Sequence, residues 1–175
     1  QAAALDPADE FKVLLLPCAQ AMPDSVVQGI RSFVDRGGTV IADVRPGLFD
    51  ELGMRLPSGS LDDVFGITRK RERKAVVSAK PLVDGTLGDI TIKSTIPEVR
   101  VDGEVSAKRS RALGSAGDVP VFLTSTFGRG KAVLLNYLID DLNLRRFDNR
   151  EDSTVDTMAR ILEWAGVVPQ LRVRT

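Results

Sequence analysis

The sequence predicts an α/β domain built on a parallel βαβ frame, with an antiparallel extension through its middle third. Three observations carry this. Phe11-Lys12-Val13-Leu14-Leu15-Leu16 is a short apolar run closed by Pro17, the pattern of a strand buried on both faces inside a parallel sheet. Val26, Val27, Ile30, Phe33 and Val34 then recur along one stripe of an amphipathic helix. A second buried run, Thr39-Val40-Ile41-Ala42-Asp43-Val44, follows, and a crossover between parallel strands is right-handed by a strong general rule.

Each further element has its own signal. Pro23 and Asp24 supply helix-start chemistry, and Gly37-Gly38 stops the helix in the left-handed manner. A loop, Arg45-Pro46-Gly47, leads to Leu48-Phe49-Asp50-Glu51-Leu52, and a short helix is expected from Ser60, whose hydroxyl would cap Leu61 to Phe65 before Gly66. Both segments fall just past the carboxyl ends of strands, where open α/β sheets hold ligands. From Lys74 to about Lys108 the period becomes two. Ala75-Val76-Val77, Ile90-Thr91-Ile92 and Val99-Arg100-Val101 are separated by Asp84-Gly85, Gly88-Asp89 and Asp102-Gly103 turn signals. Val119 to Thr126 and Lys131 to Tyr137 flank Phe127-Gly128-Arg129-Gly130 as a hairpin. Ser153 or Thr154 caps a last helix bearing Val155, Met158, Ile161, Leu162 and Ala165, ended by Gly166. The expected division is one domain over 1–175: a linker over 1–10, the βαβ core over 11–67, the antiparallel extension over 68–118, and the late hairpin and C-terminal helix over 119–168.

Composition removes whole function classes. The chain has 24 Lys+Arg against 24 Asp+Glu, so no global field draws it to nucleic acid or anionic lipid. Its longest apolar runs, Val13 to Leu16 among them, are far short of the ~20 residues of a membrane span. There is no histidine and one cysteine, which excludes Ser-His-Asp and Cys-His-Glu triads and histidine-based metal hydrolysis. Neither metal nor cofactor is expected. The N-terminus, Gln1-Ala2-Ala3-Ala4, lacks the basic start and long apolar core of a signal peptide and reads as a processed end or a boundary. It leaves the compartment unassigned.

The candidate chemistry is thin. Cys18 follows the first strand, but the small residues of a nucleophile elbow are replaced by Leu16 and Gln20, so a buried or half-buried inert thiol is expected. The acidic pairs Asp50/Glu51, Asp62/Asp63 and Asp140/Asp141, with Asp148 and Asp152, read mainly as caps and solvated groups. Asp140 is the best exception because it follows a long apolar strand. Arg69-Lys70-Arg71-Glu72-Arg73-Lys74 reads as a solvated edge that discourages strand addition, and Gly128-Arg129-Gly130-Lys131 lacks phosphate-loop spacing. A strand-end pocket is expected from Cys18, Arg45, Asp50 and Asp140, with Arg45 paired to Asp43 or Asp50. Leu48, Phe49 and Met54, with Leu52 and Leu56 nearby, have no regular element to cover them and are interface candidates.

Taken together, the string from Phe11 to Pro17, the acid-started helix, Phe33 through Ile41 with its Gly37-Gly38, and Arg45-Pro46-Gly47-Leu48-Phe49-Asp50 resembles a known domain type. It is similar to the glutamine-amidotransferase-like, or trimerisation, domain that follows the catalytic barrel in family 42 β-galactosidases. Ser60 to Ile67 and Phe127 to Asn136 agree with it. The resemblance implies a flavodoxin-like sandwich, in the class I glutamine amidotransferase manner, that kept the frame and lost the active site. It also implies a chain cut from a longer polypeptide, since another strand and helix normally come before the strand matched by residues 11–16. The function implied is non-catalytic assembly, through self-association or packing on neighbouring domains of the same polypeptide. Two alternatives stand beside it: a divergent hydrolase using Asp140 or Asp50 with Arg45, and a module binding a small ligand such as carbohydrate.

Overall fold

A computed structural model describes residues 11–73, 76–96, 98–138 and 153–168. In chain order it contains β1 (Val13–Leu16), α1 (Asp24–Asp35), β2 (Thr39–Ala42), β3 (Ile67–Arg69), β4 (Val77–Ala79), β5 (Leu82–Leu87) and β6 (Ile90–Thr95). There follow β7 (Val99–Val101), β8 (Val105–Ala107), β9 (Arg111–Ala116), β10 (Val119–Phe127), β11 (Gly130–Leu135) and α2 (Ser153–Trp164). Seven strands form one sheet in the order β1-β2-β11-β10-β9-β5-β6, and β3-β8 and β4-β7 make separate two-stranded pairs.

This corrects the expected flavodoxin-like, mostly parallel sandwich. Only β1-β2 and β2-β11 are parallel, whereas β11-β10, β10-β9, β9-β5 and β5-β6 are antiparallel. The reason is connection chemistry. Each parallel neighbour needs a long crossover, whereas antiparallel neighbours need only a tight turn. Among the described residues α1 is the one helix set between two paired parallel strands. Within the expected antiparallel extension over 68–118, β5, β6 and β9 continue the main sheet.

The βαβ segment follows its pattern with two local departures. On α1 the buried residues are Val27, Ile30, Phe33 and Val34, each contributing about 1.5–3 kcal/mol on burial before entropy is counted. Val26 stands off this stripe and is 47 % exposed. β2 is buried along its whole length, but β1 is the sheet's edge strand and is not covered on both faces, with Leu15 52 % exposed. The two faces of the sheet carry separate cores. Val40, Ala42, Leu123, Ala132 and Leu134 pack with α1, Leu61, Val64 and Phe65, while Ile41, Val121, Phe122, Val133 and Leu135 pack with β5, β6 and Ile161 of α2. A register shift around Phe122 accompanies the placing of the consecutive Val121 and Phe122 in one core, which the strict alternation of a regular strand would not allow.

Two turn signals also resolve differently. Asp84-Gly85 lies inside β5, where Asp84 faces Lys93 and Gly85 faces Ile92; a side chain at Gly85 would press on Leu113 Cδ2 at 2.8 Å. Residues 60–66 form successive turns in place of the expected helix. Ser60 Oγ donates to the Gly47 carbonyl at 3.0 Å and does not cap a helix.

The late hairpin closes the frame. Its turn docks on the end of α1: the Arg129 N–H donates to the Asp35 carbonyl at 3.0 Å, and the Lys131 N–H donates to the Gly38 carbonyl at 3.1 Å. Gly128 sits there at φ 56°, with Asp35 Cα only 2.6 Å from where a Cβ would stand.

Candidate functional site

The strand ends are shaped by two residues in the left-handed region, Cys18 at φ 50° and Arg45 at φ 60°. Such conformations are uncommon for residues other than glycine and persist where surrounding contacts impose them. At the first, Asp43, only 1 % exposed, accepts the Cys18 backbone N–H at 2.8 Å on Oδ1 and faces Cys18 Sγ at 3.6 Å through Oδ2. Cys18 itself is exposed, so the expectation of a buried thiol is corrected: Asp43 turns its backbone outward at the end of an edge strand. The neighbour is a carboxylate, and two adjacent negative charges repel. Alkylation of the native protein near neutral pH should therefore proceed no faster than that of free cysteine; faster labelling would show an activated thiol.

At the second, the structure shows Arg45 on Asp102, a partner 57 residues away, with Nε donating to Oδ2 at 3.1 Å. The sequence suggested Asp43 or Asp50 as its partner and did not show this long-range one. Asp50 is occupied locally: its Oδ1 accepts the Leu52 N–H at 3.0 Å and the Met54 N–H at 2.8 Å, folding the 50–54 turn. Cys18 bonds to Asp43, Arg45 to Asp102 and Asp50 to the backbone of its own turn, and Asp140 lies outside the described residues, as do Asp141, Asp148 and Asp152.

Asp102 is the hub that sequence reading missed. Its side chain is fully buried and that of Arg69 is 3 % exposed. Asp102 Oδ2 accepts Arg69 Nη1 at 2.7 Å as well as Arg45 Nε, and its Oδ1 accepts the Glu104 N–H at 3.0 Å. Arg69 Nε in turn donates to both oxygens of Asp62 at 3.1 Å, while Arg55 pairs with Glu104. Burial is the larger influence on the Asp62 carboxyl and raises it, against the lowering effect of Arg69. Buried Asn136 donates to the Asp102 and Pro120 carbonyls at 2.9 and 3.0 Å. These bonds tie the 45–55 loop, the 59–62 turn, β3, the 102–104 turn and the end of β11 together. The sequence signals were Arg69, read as part of a solvated basic run, and Asp102-Gly103, read only as a turn.

A cleft of about 760 Å³ opens beside this hub, lined among others by Arg31, Asp62, Asp63, Arg69, Lys108 and Arg109. Arg31 grips Asp63 with two bonds of 2.6 Å and lies 5.2 Å over the Phe127 ring. Burial works to raise the Asp63 carboxyl, but Arg31 together with backbone N–H bonds holds the group below its ordinary value. Among the described residues no group of three or more His, Cys, Asp or Glu could hold a metal ion, and no helix is long and apolar enough to cross a membrane.

Of the interface candidates, Leu48 is 1 % exposed and belongs to the interior. Phe49 is half-buried, and its backbone N–H donates to the Gln20 carbonyl at 2.9 Å. Met54 is 66 % exposed and its neighbour Leu52 83 % exposed. The apolar surface of this loop is therefore Leu52 and Met54.

Comparison with known proteins decides the family. The β-galactosidase trimerisation domain matches residues 3–167. The chain belongs to that family. Among solved structures, the β-galactosidase from Bacillus circulans sp. alkalophilus superposes with a TM-score of 0.70 at 18 % identity, covering 97 % of this chain and 25 % of that one. Gan42B, a GH42 β-galactosidase from G. stearothermophilus, gives 0.69 at 17 % identity over 97 % and 24 %. The cytoplasmic protein STM1381 from Salmonella typhimurium LT2 gives 0.63 at 12 %, over 89 % of this chain and 74 % of that one. No curated protein matches. At these identities the structural likeness shows the fold. The trimerisation domain spans about a quarter of the length of the β-galactosidases it resembles.

Proposed function

We propose that this trimerisation domain is the non-catalytic assembly domain of a β-galactosidase-like glycoside hydrolase, and that the loop bearing Leu52 and Met54 makes its subunit contact. The family match over residues 3–167 carries the reading. The loop supports it physically. Asp50 fixes the backbone at Leu52 and Met54, so two large apolar side chains are held in water by a pre-formed turn, and ordering them costs little on association. A hydrolase reading built on Asp50 and Arg45 is disfavoured, since one carboxylate is spent on backbone N–H groups and the guanidinium is held by Asp102. Hydrolysis of the glycosidic bond is assigned to another part of the longer enzyme.

Replacing both side chains, Leu52→Asp with Met54→Asp, should weaken self-association at least tenfold while leaving stability within about 0.5 kcal/mol, as exposed positions allow. Light scattering with parallel urea unfolding reads both. Unchanged association would remove this loop from the interface.

A further inference from the structure

We propose that the cleft bounded by the 57–63 turn, β3 and the corner at Lys108 and Arg109 binds a small oxyanion, a phosphate- or carboxylate-bearing molecule. Its lining holds four cationic side chains, Arg31, Arg69, Lys108 and Arg109, against two carboxylates, Asp62 and Asp63. Both carboxylates are already committed, Asp63 to Arg31 and Asp62 to Arg69. Arg109 Nη2 donates to the Asp63 backbone carbonyl at 2.9 Å, which carries no compensating charge. Among the described residues Lys108 has no ion-pair partner. The excess positive charge therefore sits at the mouth, on Lys108 and Arg109.

A second observation concerns the depth of the same cleft. Arg69 is 3 % exposed, yet its Nη2 has no hydrogen-bond acceptor. Nε is taken by Asp62 and Nη1 donates to Asp102, so the fold itself leaves the Nη2 end of the guanidinium unsatisfied. Nη2 is closed to water, so an anion would reach it only with a shift of the lining, and would then supply the missing acceptor. At about 760 Å³ the space suits a small molecule. The Ser58 and Thr68 side chains on the lining add hydroxyls that donate to an anion's remaining oxygens. This site is independent of the assembly reading, because neither Leu52 nor Met54 lines it.

Calorimetric titration of the chain with inorganic phosphate and, separately, with citrate at constant ionic strength tests it. Saturable binding of at least one anion is expected, with potassium chloride giving none; which anion binds assigns the chemistry. Lys108→Ala and Arg109→Ala should each weaken binding about tenfold, the effect of one charge-assisted hydrogen bond. Lys93→Ala, on the distant strand β6, should change nothing, and circular dichroism confirms that each variant is folded. No saturable heat with either anion, or equal affinity in all three variants, would overturn the proposal.

Discussion

Asp102→Ala is expected to destabilise the domain by about 3–5 kcal/mol, the loss typical of removing one partner from a buried ion pair. The size follows from what stays behind. Arg69, 3 % exposed, loses its Nη1 acceptor, Arg45 loses its Nε acceptor, and the Glu104 N–H loses its bond. The Arg69 Nη1 and the Glu104 N–H are then buried donors that have lost this acceptor. Asp102→Asn keeps the shape and one acceptor oxygen, so its loss should be smaller. Urea unfolding of the three proteins gives the comparison. A loss under about 1 kcal/mol for Asp102→Ala would mean that the hub does not hold these loops together.

Gly130→Ala should cost about 2–3 kcal/mol or more, at the upper end of overpacking effects. A methyl group there would overlap the carbonyl oxygens of Val34 and Gly38, with Val34 C at 2.9 Å. Those atoms are backbone, so no rotamer change relieves the contact; the hairpin turn must lift off α1. Gly29→Ala is the internal control. Gly29 lies in α1 with nothing within 4 Å of an added methyl, and it should gain about 0.5–1 kcal/mol from helix propensity alone. Thermal unfolding of the pair should move in opposite directions; a neutral Gly130→Ala would contradict the close docking of the hairpin.

What was legible in the sequence was local. The stripe from Val27 to Val34, the Gly37-Gly38 stop and the run from Thr39 to Val44 specify a helix between two strands whatever surrounds them. The glycine-rich turn after Phe127 specified the late hairpin in the same way. How much of the main sheet is antiparallel was not legible, because period-two strands joined by tight turns read alike whether they pair with one another or continue the main sheet. Nor was edge position, so Leu15 looked like a core residue and proved half-exposed. The interior charges were hidden for a related reason. Arg69 stands first in a basic run and Asp102 stands in a turn, and only folding brings them to 2.7 Å. Nothing about either residue type marks it for burial, since charged residues are rarely buried unless paired and the partner is 33 positions away.

The central claim is that this chain associates with copies of itself. Sedimentation equilibrium of the unsubstituted chain over a wide concentration range tests it most directly. A mass that rises with concentration above the 19.0 kDa of a single chain is expected, and a fixed 19.0 kDa at every concentration would contradict it.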